Sequence, residues 1–359
     1  MKIIFFVKRF YTNKDLIEDE FGRLFYFPSI LGKKGYECVV FALDFKNRTE
    51  VSISKNNVRF YSVPVKSFWR LPLMYRLFRE LKTTKADFVF SSGDSYIGYL
   101  GLLLSRRLSS KAVFDIYDDY AFFGTNKAPF MRTMLRIAAG KSDLVVCASE
   151  SIQKKYSAYQ KNILVVENGV DSQVFRPEEK TIARKKSNVM NEDIVVGYFG
   201  SIHKPRGADD LIEAIKRLRA KGQDVKLLMA GRDYGEVSMN YPWVDYRGMV
   251  EQKHLVAMIN SCDVVAMPYK NTKLMSMTNA CKLMEYIACG VPVVVSNVAD
   301  YADYFPKSFD CVSEPADPAS LARVIANQLK NRNVVDEKRI VSWEKLASRL
   351  ESNFNKLVC

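Results

Sequence analysis

Several stretches of the chain carry residues whose types and spacing could do chemistry. In KLMEYIACGVPVVVSN, residues 282–297, Lys282 and Glu285 stand three apart, just before Gly290, Pro292 and an apolar run. On a helix that spacing puts both side chains on one face, where they could also simply pair for roughly 0.2–0.5 kcal/mol. A carboxylate there is a good bidentate acceptor for two vicinal hydroxyls, such as those of a ribose. A lysine in the first turn adds to the positive charge of free helix N–H groups, a combination suited to phosphate.

In GYFGSIHKPRGADD, residues 197–210, a strand leaves through Gly200 into a loop with Lys204, Arg206 and Gly207, followed by a helix. Gly200 allows close backbone approach and the cations could neutralise a diphosphate; a loop of solvated cations would look the same. AGRD, residues 230–233, is a second strand end, bearing Gly231 and Arg232. Within PYKNTKLMSMTNACKLMEY, residues 268–286, Ser276, Thr278 or Asn279 could cap the helix that carries Lys282. Asn297 to Asp303 could wrap a sugar or a base. Together these places suggest a nucleotide-diphosphate ligand. In the first half, Asp115, Asp118 and Asp119 of FDIYDDYAFFG and Asp94 of SSGDSYIG end strands. They are candidates to touch a sugar or an acceptor hydroxyl, or acids that merely solvate a strand end.

The elements that must position these residues alternate. KIIFFV (2–7), ECVVFAL (37–43), VRFYSVP (58–64), ADFVFSSG (86–93), AVFDIYDD (112–119) and SDLVVCAS (142–149) read as strands, most of them followed by a plausible helix. GRLFYFPSILGKKG (22–35) reads as the first of these helices. The pattern predicts a parallel, doubly wound sheet. Residues 161–193 begin as a strand and turn polar, which reads as a connection between domains. The alternation restarts at DIVVGYFGS (193–201) and runs to late helices over 317–331 and 341–357. In open parallel sheets ligands bind beyond the carboxyl ends of the strands, where the chemistry-bearing loops lie.

With 359 residues, 48% hydrophobic and 26% charged, the chain is long and apolar enough for two domains and is not a disordered polymer. No run approaches the ~18 consecutive apolar residues of a membrane span. The start MKIIFFV meets Lys8 and Arg9 without the h-region of a signal peptide. Seven scattered cysteines, none in a CxxC pair, point to a reducing compartment, and two distant histidines add to the case against a metal site. Residues 1–176 hold 28 Lys+Arg against 17 Asp+Glu, a net +11 of the total +14. Nucleic acid, an anionic membrane surface or a phosphate-bearing substrate would each account for this. KSFWRLPLMYRLFRELKTTK, residues 66–85, interleaves Lys66, Arg70, Arg76, Arg79, Lys82 and Lys85 with Phe68, Trp69, Leu73, Leu77 and Phe78. Such a stretch can lie on an anionic bilayer or be an ordinary half-buried helix. No nucleic-acid module is recognisable, so no nucleic-acid partner is expected.

VVENGVDSQVFRP, GYFGSIHKPRGADDLIEAI, LLMAGRD, LMEYIACGVPVVVSN, PADPASLARVI and SWEKLASRL occur in the order found in glycosyltransferase family 4, and the chain resembles that family across residues 141–350. The resemblance implies an α/β protein with two Rossmann-like, doubly wound domains facing across a cleft, the GT-B fold. It implies an acceptor-side domain over 1–170, a linker over 171–192, a nucleotide-sugar-binding domain over 193–340, and a C-terminal helix over 341–359 packing back on the first domain. It implies a retaining, metal-independent enzyme without cofactor. Such an enzyme would move sugar from a nucleoside-diphosphate sugar to a glycan or lipid-linked acceptor in surface-polysaccharide synthesis. It would be cytoplasmic and peripheral on the inner face of the cell membrane. The donor would be held by Gly200, Ser201, His203, Arg206, Gly231, Arg232, Thr278, Asn279, Lys282 and Glu285, with Arg206, Lys282, Asp118 and Asp119 in catalytic roles. Glu285 matches the second Glu of the family's paired-Glu motif, whereas the first falls at Met277; the usual phosphate-binding Arg is Ser201 and its partner Lys is Arg206. Lys282 would then take over part of the diphosphate charge. These departures leave open a non-catalytic subunit of the same fold or an inverting enzyme with an aspartate base, and the basic charge leaves a nucleic-acid-binding protein as the rival from another class.

Overall fold

A computed structural model describes residues 1–11, 14–46, 50–65, 85–118, 120, 129–273, 275–277 and 281–358. The basic stretch 66–85, apart from Lys85, lies outside them, as do Asp119, Thr278 and Asn279. The chain folds as two compact units, residues Met1–Gly169 with Trp343–Cys359, and Val170–Ser342.

In the first unit the chain runs β1 (Lys2–Lys8), β2 (Phe10–Tyr11), β3 (Lys14–Asp15), α1 (Arg23–Lys33), β4 (Glu37–Asp44), β5 (Val51–Lys55) and β6 (Val58–Pro64). It continues as β7 (Phe88–Ser92), α2 (Ser95–Leu108), β8 (Lys111–Ile116), α3 (Pro129–Lys141), β9 (Leu144–Cys147), α4 (Glu150–Tyr156) and β10 (Ile163–Val165). The sheet order is β10-β9-β8-β7-β1-β4-β6-β5. Every neighbour pair in it is parallel except β5 with β6. The unbroken apolar runs follow from this: a parallel strand covered on both faces needs no polar alternation. In β1, Ile4 and Phe6 pack with Ile97 and Leu104 of α2. Phe5 lies against Phe90, and Phe90 against Phe354 of the C-terminal helix.

The second unit carries α5 (Lys180–Lys186), β11 (Ile194–Phe199), α6 (Ala208–Ala220), β12 (Val225–Ala230), β13 (Val244–Tyr246), α7 (Gln252–Ser261) and β14 (Val264–Met267). Then come α8 (Cys281–Ala288), β15 (Val293–Ser296), β16 (Val312–Ser313) and α9 (Pro318–Asn331). Its sheet, β13-β12-β11-β14-β15-β16, is parallel throughout. Alternate strand residues divide the core into two layers. Val195, Phe199, Val265 and Val295 pack with Ile259 of α7 and Leu283 and Ile287 of α8. Val196, Tyr198, Ala266 and Val294 pack with Leu211 and Ile215 of α6 and Leu321 and Ile325 of α9. Asp317 caps α9, accepting from the N–H groups of Ala319 and Ser320 at 2.9 and 3.0 Å, with Pro318 in the first helical position.

Residues 171–192 differ from the linker expected there. They belong to the second unit, and Glu179 caps α5 by accepting from the N–H groups of Thr181 and Ile182. Arg184 is buried and donates to the carbonyls of Ser261 and Asp193 and to Asp263. These long-range partners, invisible in a short polar sequence, fix the segment. The last helix, α10 (Trp343–Val358), belongs to the first unit, where Phe354 stacks on Phe88 at 4.6 Å and Tyr36 donates to Glu351 at 3.0 Å.

Candidate functional site

In the second sheet the chain goes from β11 outward to β12 and β13, then returns to β14 on the other side. The topological switch point therefore lies between β11 and β14, where an open parallel sheet leaves a crevice at its carboxyl edge. Gly200 and Ser201 follow β11 there, Gly231 follows β12, and Pro268 to Lys270 follow β14.

Backbone approaches at this edge are close. A Cβ at Gly231, whose φ is +138°, would stand 1.9 Å from the Gly200 carbonyl oxygen. Gly200 N–H donates to Ala230 O at 2.8 Å. A Cβ at Gly200 would lie 3.1 Å from Lys282 Cε and 3.8 Å from its Nζ. Lys282 thus extends over bare backbone at the end of β11. Tyr286, one turn further along α8, anchors that placement: its hydroxyl accepts from Phe199 N–H at 3.2 Å and donates to Phe199 O at 3.0 Å. Glu285 is buried on the same helix, three residues after Lys282, a spacing that shares a helical face.

Arg206 arrives from the other side of the switch point. It ends the turn Lys204–Arg206, and Gly207 then takes φ +68°, with space for no side chain: a Cβ would stand 1.7 Å from Pro268 O. Arg206 Nη1 donates to Tyr269 Oη at 3.0 Å and its guanidinium lies over the Tyr269 ring. Its Nε is buried with no hydrogen-bond partner among the described residues. The tyrosines around it, Tyr269 foremost, hold it more firmly charged than a free arginine. Lys270 ties the same loop to the first turn of α6, reaching Asp209 at 2.8 Å and Asp210 at 3.4 Å, while its N–H donates to Pro205 O. Neither the Lys270 tie nor the Tyr286 anchor was legible in sequence, because each links residues about sixty or more positions apart.

The remaining residues named from sequence are placed as follows. His203 packs by the Tyr234 ring, and burial, then Arg206, lower its pKa. Arg232 is exposed and stacks on Tyr234; its carbonyl accepts from Ile202 N–H. Ser201 O accepts from the Tyr198 hydroxyl. Met277 closes a short helical turn, Met275–Met277. In the first unit Asp118 is half-buried and its carbonyl accepts from Tyr120 N–H. Asp115 is wholly buried, bonded to Arg23 at 2.8 Å and to Ser92 at 2.5 Å, so it is a structural group and not one that meets a substrate.

The end of β11 thus brings Gly200 beside Lys282 and the Gly231 strand end, with the Arg206 turn following it. Two Rossmann-like units with this edge define the GT-B class of fold. Residues 30–174 match the family model described as Glycosyltransferase Family 4, and residues 193–331 that described as Glycosyl transferases group 1. The chain belongs to the family 4 type of GT-B glycosyltransferases. It is similar to D-inositol 3-phosphate glycosyltransferase of Stackebrandtia nassauensis, 28% identical over 192 residues, which cover 47% of this chain and 42% of that protein. It is also similar to the capsular polysaccharide biosynthesis glycosyltransferase CapM of Staphylococcus aureus, 26% identical over 183 residues, 47% of each. The matched stretch spans less than half the length of either relative. Among solved structures, sucrose-phosphate synthase from Thermosynechococcus elongatus aligns with a TM-score of 0.74 at 16% identity, covering 99% of both chains. Anabaena HepE in complex with UDP and glucose aligns at 0.67 and 16%, covering 100% of this chain and 96% of that one.

Proposed function

We propose that the chain transfers a sugar from a nucleoside-diphosphate sugar to a glycan or lipid-linked acceptor in surface-polysaccharide or glycoconjugate synthesis. The observation that carries this reading is Lys282 laid over Gly200 at the switch point, a cation beside accessible backbone where a diphosphate would fit. HepE, a fold neighbour solved with UDP and glucose, and CapM, a capsular-polysaccharide relative, support it. The bond from the anomeric carbon to the diphosphate breaks, and its electron pair leaves with the phosphate oxygen. Lys282 and Arg206 stabilise that developing charge, usually a large catalytic term. In this reading they take the part a divalent metal would otherwise play. The acceptor oxygen bonds the same carbon with retention and its proton passes to the departing phosphate. Glu285 receives the ribose hydroxyls; Gly200, Ser201, His203, Gly231, Arg232, Thr278 and Asn279 complete the donor site. Asp118 and Asp119 serve the acceptor side.

No helix among the described residues is long and apolar enough to cross a membrane. The net +11 of residues 1–176 suits peripheral contact with an anionic inner leaflet, where a lipid-linked acceptor would be met. A thermal-shift panel of UDP-, GDP-, TDP- and CMP-sugars tests the reading. One nucleotide class, at about 100 times its dissociation constant, stabilises its unit by ~2.7 kcal/mol and raises its melting temperature by roughly 5–10 °C. No shift with any of the four contradicts it.

A further inference from the structure

In the first sheet the chain passes from β1 to β4 and β6 on one side, then returns to β7 on the other, so its own switch point lies between β1 and β7. Lys8 ends β1 and Asp94 follows β7, and the two side chains form an ion pair across that point. Asp94 is the residue before α2, a position where a carboxylate ordinarily accepts from the first helical N–H groups. Here its side chain makes no such bond. Oδ2 meets Lys8, and Oδ1 is buried with no hydrogen-bond partner among the described residues. Asp94 as a whole is 6% exposed. An orphaned, buried carboxylate oxygen forfeits its hydration uncompensated and calls for an explanation.

The surroundings supply one. The Lys8 ammonium lies 4.7 Å from the Tyr96 ring centroid and 5.5 Å from that of Phe45, and the two rings meet edge-on at 5.7 Å. Phe45 is exposed and Tyr96 half-buried. The hydroxyls of Tyr96 and Tyr117 both lie in the field of the Asp94 carboxylate. A carboxylate acceptor, a cation and aromatic faces at the carboxyl edge of a parallel sheet match a pyranose, which offers hydroxyls at its rim and C–H groups on its faces. We propose that the Lys8–Asp94 pair at the β1–β7 edge is a carbohydrate-binding site in which Asp94 Oδ1 accepts a hydrogen bond from a sugar hydroxyl. Lys8 holds the carboxylate in place through the ion pair. In the transferase reading this site takes the acceptor glycan; its binding can be tested whether or not that reading holds.

The test is the double variant Lys8→Met, Asp94→Leu, which replaces the pair by apolar groups of similar volume. Ligand binding is followed by saturation-transfer NMR with methyl glycosides of glucose, galactose, mannose and N-acetylglucosamine, and with UDP-glucose as the donor arm. The wild type binds at least one glycoside, and the variant binds it at least tenfold more weakly with UDP-glucose binding unaltered. The variant's melting temperature stays level or rises, since a buried pair with an orphan oxygen adds little stability. A melting temperature lowered by several degrees assigns the pair to the fold and overturns the proposal. So does glycoside binding that is absent from the wild type or unchanged in the variant. Loss confined to UDP-glucose would move the site to the donor and also overturn it as stated.

Discussion

Replacing Lys282 with alanine lowers kcat/KM for sugar transfer by about 100–1000-fold, the size expected when one preorganised charge on a leaving group is removed. The effect is large because the helix that carries the side chain is held before substrate arrives: α8 is pinned to the end of β11 by both Tyr286 hydrogen bonds, and Lys282 lies alongside Gly200. No reorganisation is then required as charge develops on the diphosphate. Lys282→Arg retains the charge but not the fit beside Gly200, and so recovers only part of the rate. Steady-state kinetics with saturating acceptor measure this, and a loss below about fivefold would place the catalytic charge elsewhere.

Gly231→Ala destabilises the second unit by roughly 2–4 kcal/mol, adding a steric term to the strain of a left-handed backbone. The cause is geometric: at φ +138° the new Cβ would come within 1.9 Å of the Gly200 carbonyl oxygen, part of a neighbouring strand end that cannot swing away. Gly222→Ala is the control. Gly222 has φ +84° with nothing within 4 Å of its Cβ position, so that variant isolates the backbone strain, about 1 kcal/mol. Calorimetric unfolding of both variants separates the terms. Equal melting temperatures would mean that the β11 and β12 ends are not packed backbone to backbone.

Much of the architecture was legible because it rests on local periodicity. IIFFV, CVVFAL and VVV could only be covered strands, and ADDLIEAIKRLRA places Leu211, Ile215 and Leu218 on one buried stripe. β5 escaped notice because VSISK is an edge strand with little buried surface and no apolar run. α5 escaped because seven residues give barely two turns, and its stability comes from Arg184 reaching Ser261 and Asp263. The candidate site was legible as types and strand ends, Gly200 and Gly231 above all. What could not be read was who holds whom: Tyr269 under Arg206, Phe199 gripping Tyr286, Lys270 on Asp209. Asp115 shows the converse, since its place at a strand end resembles that of a reactive acid while Arg23 and Ser92 seal it in the core.

Whether the carboxyl edge of the second sheet grips a nucleoside diphosphate is decided by calorimetric titration of UDP and GDP into the wild type and Glu285→Ala. One of the two nucleotides binds saturably and one-to-one, with a dissociation constant about 10–100-fold higher in the variant, the loss of a charged acceptor for two hydroxyls. Identical affinities in the two proteins, or no binding of either nucleotide to the wild type, would contradict it.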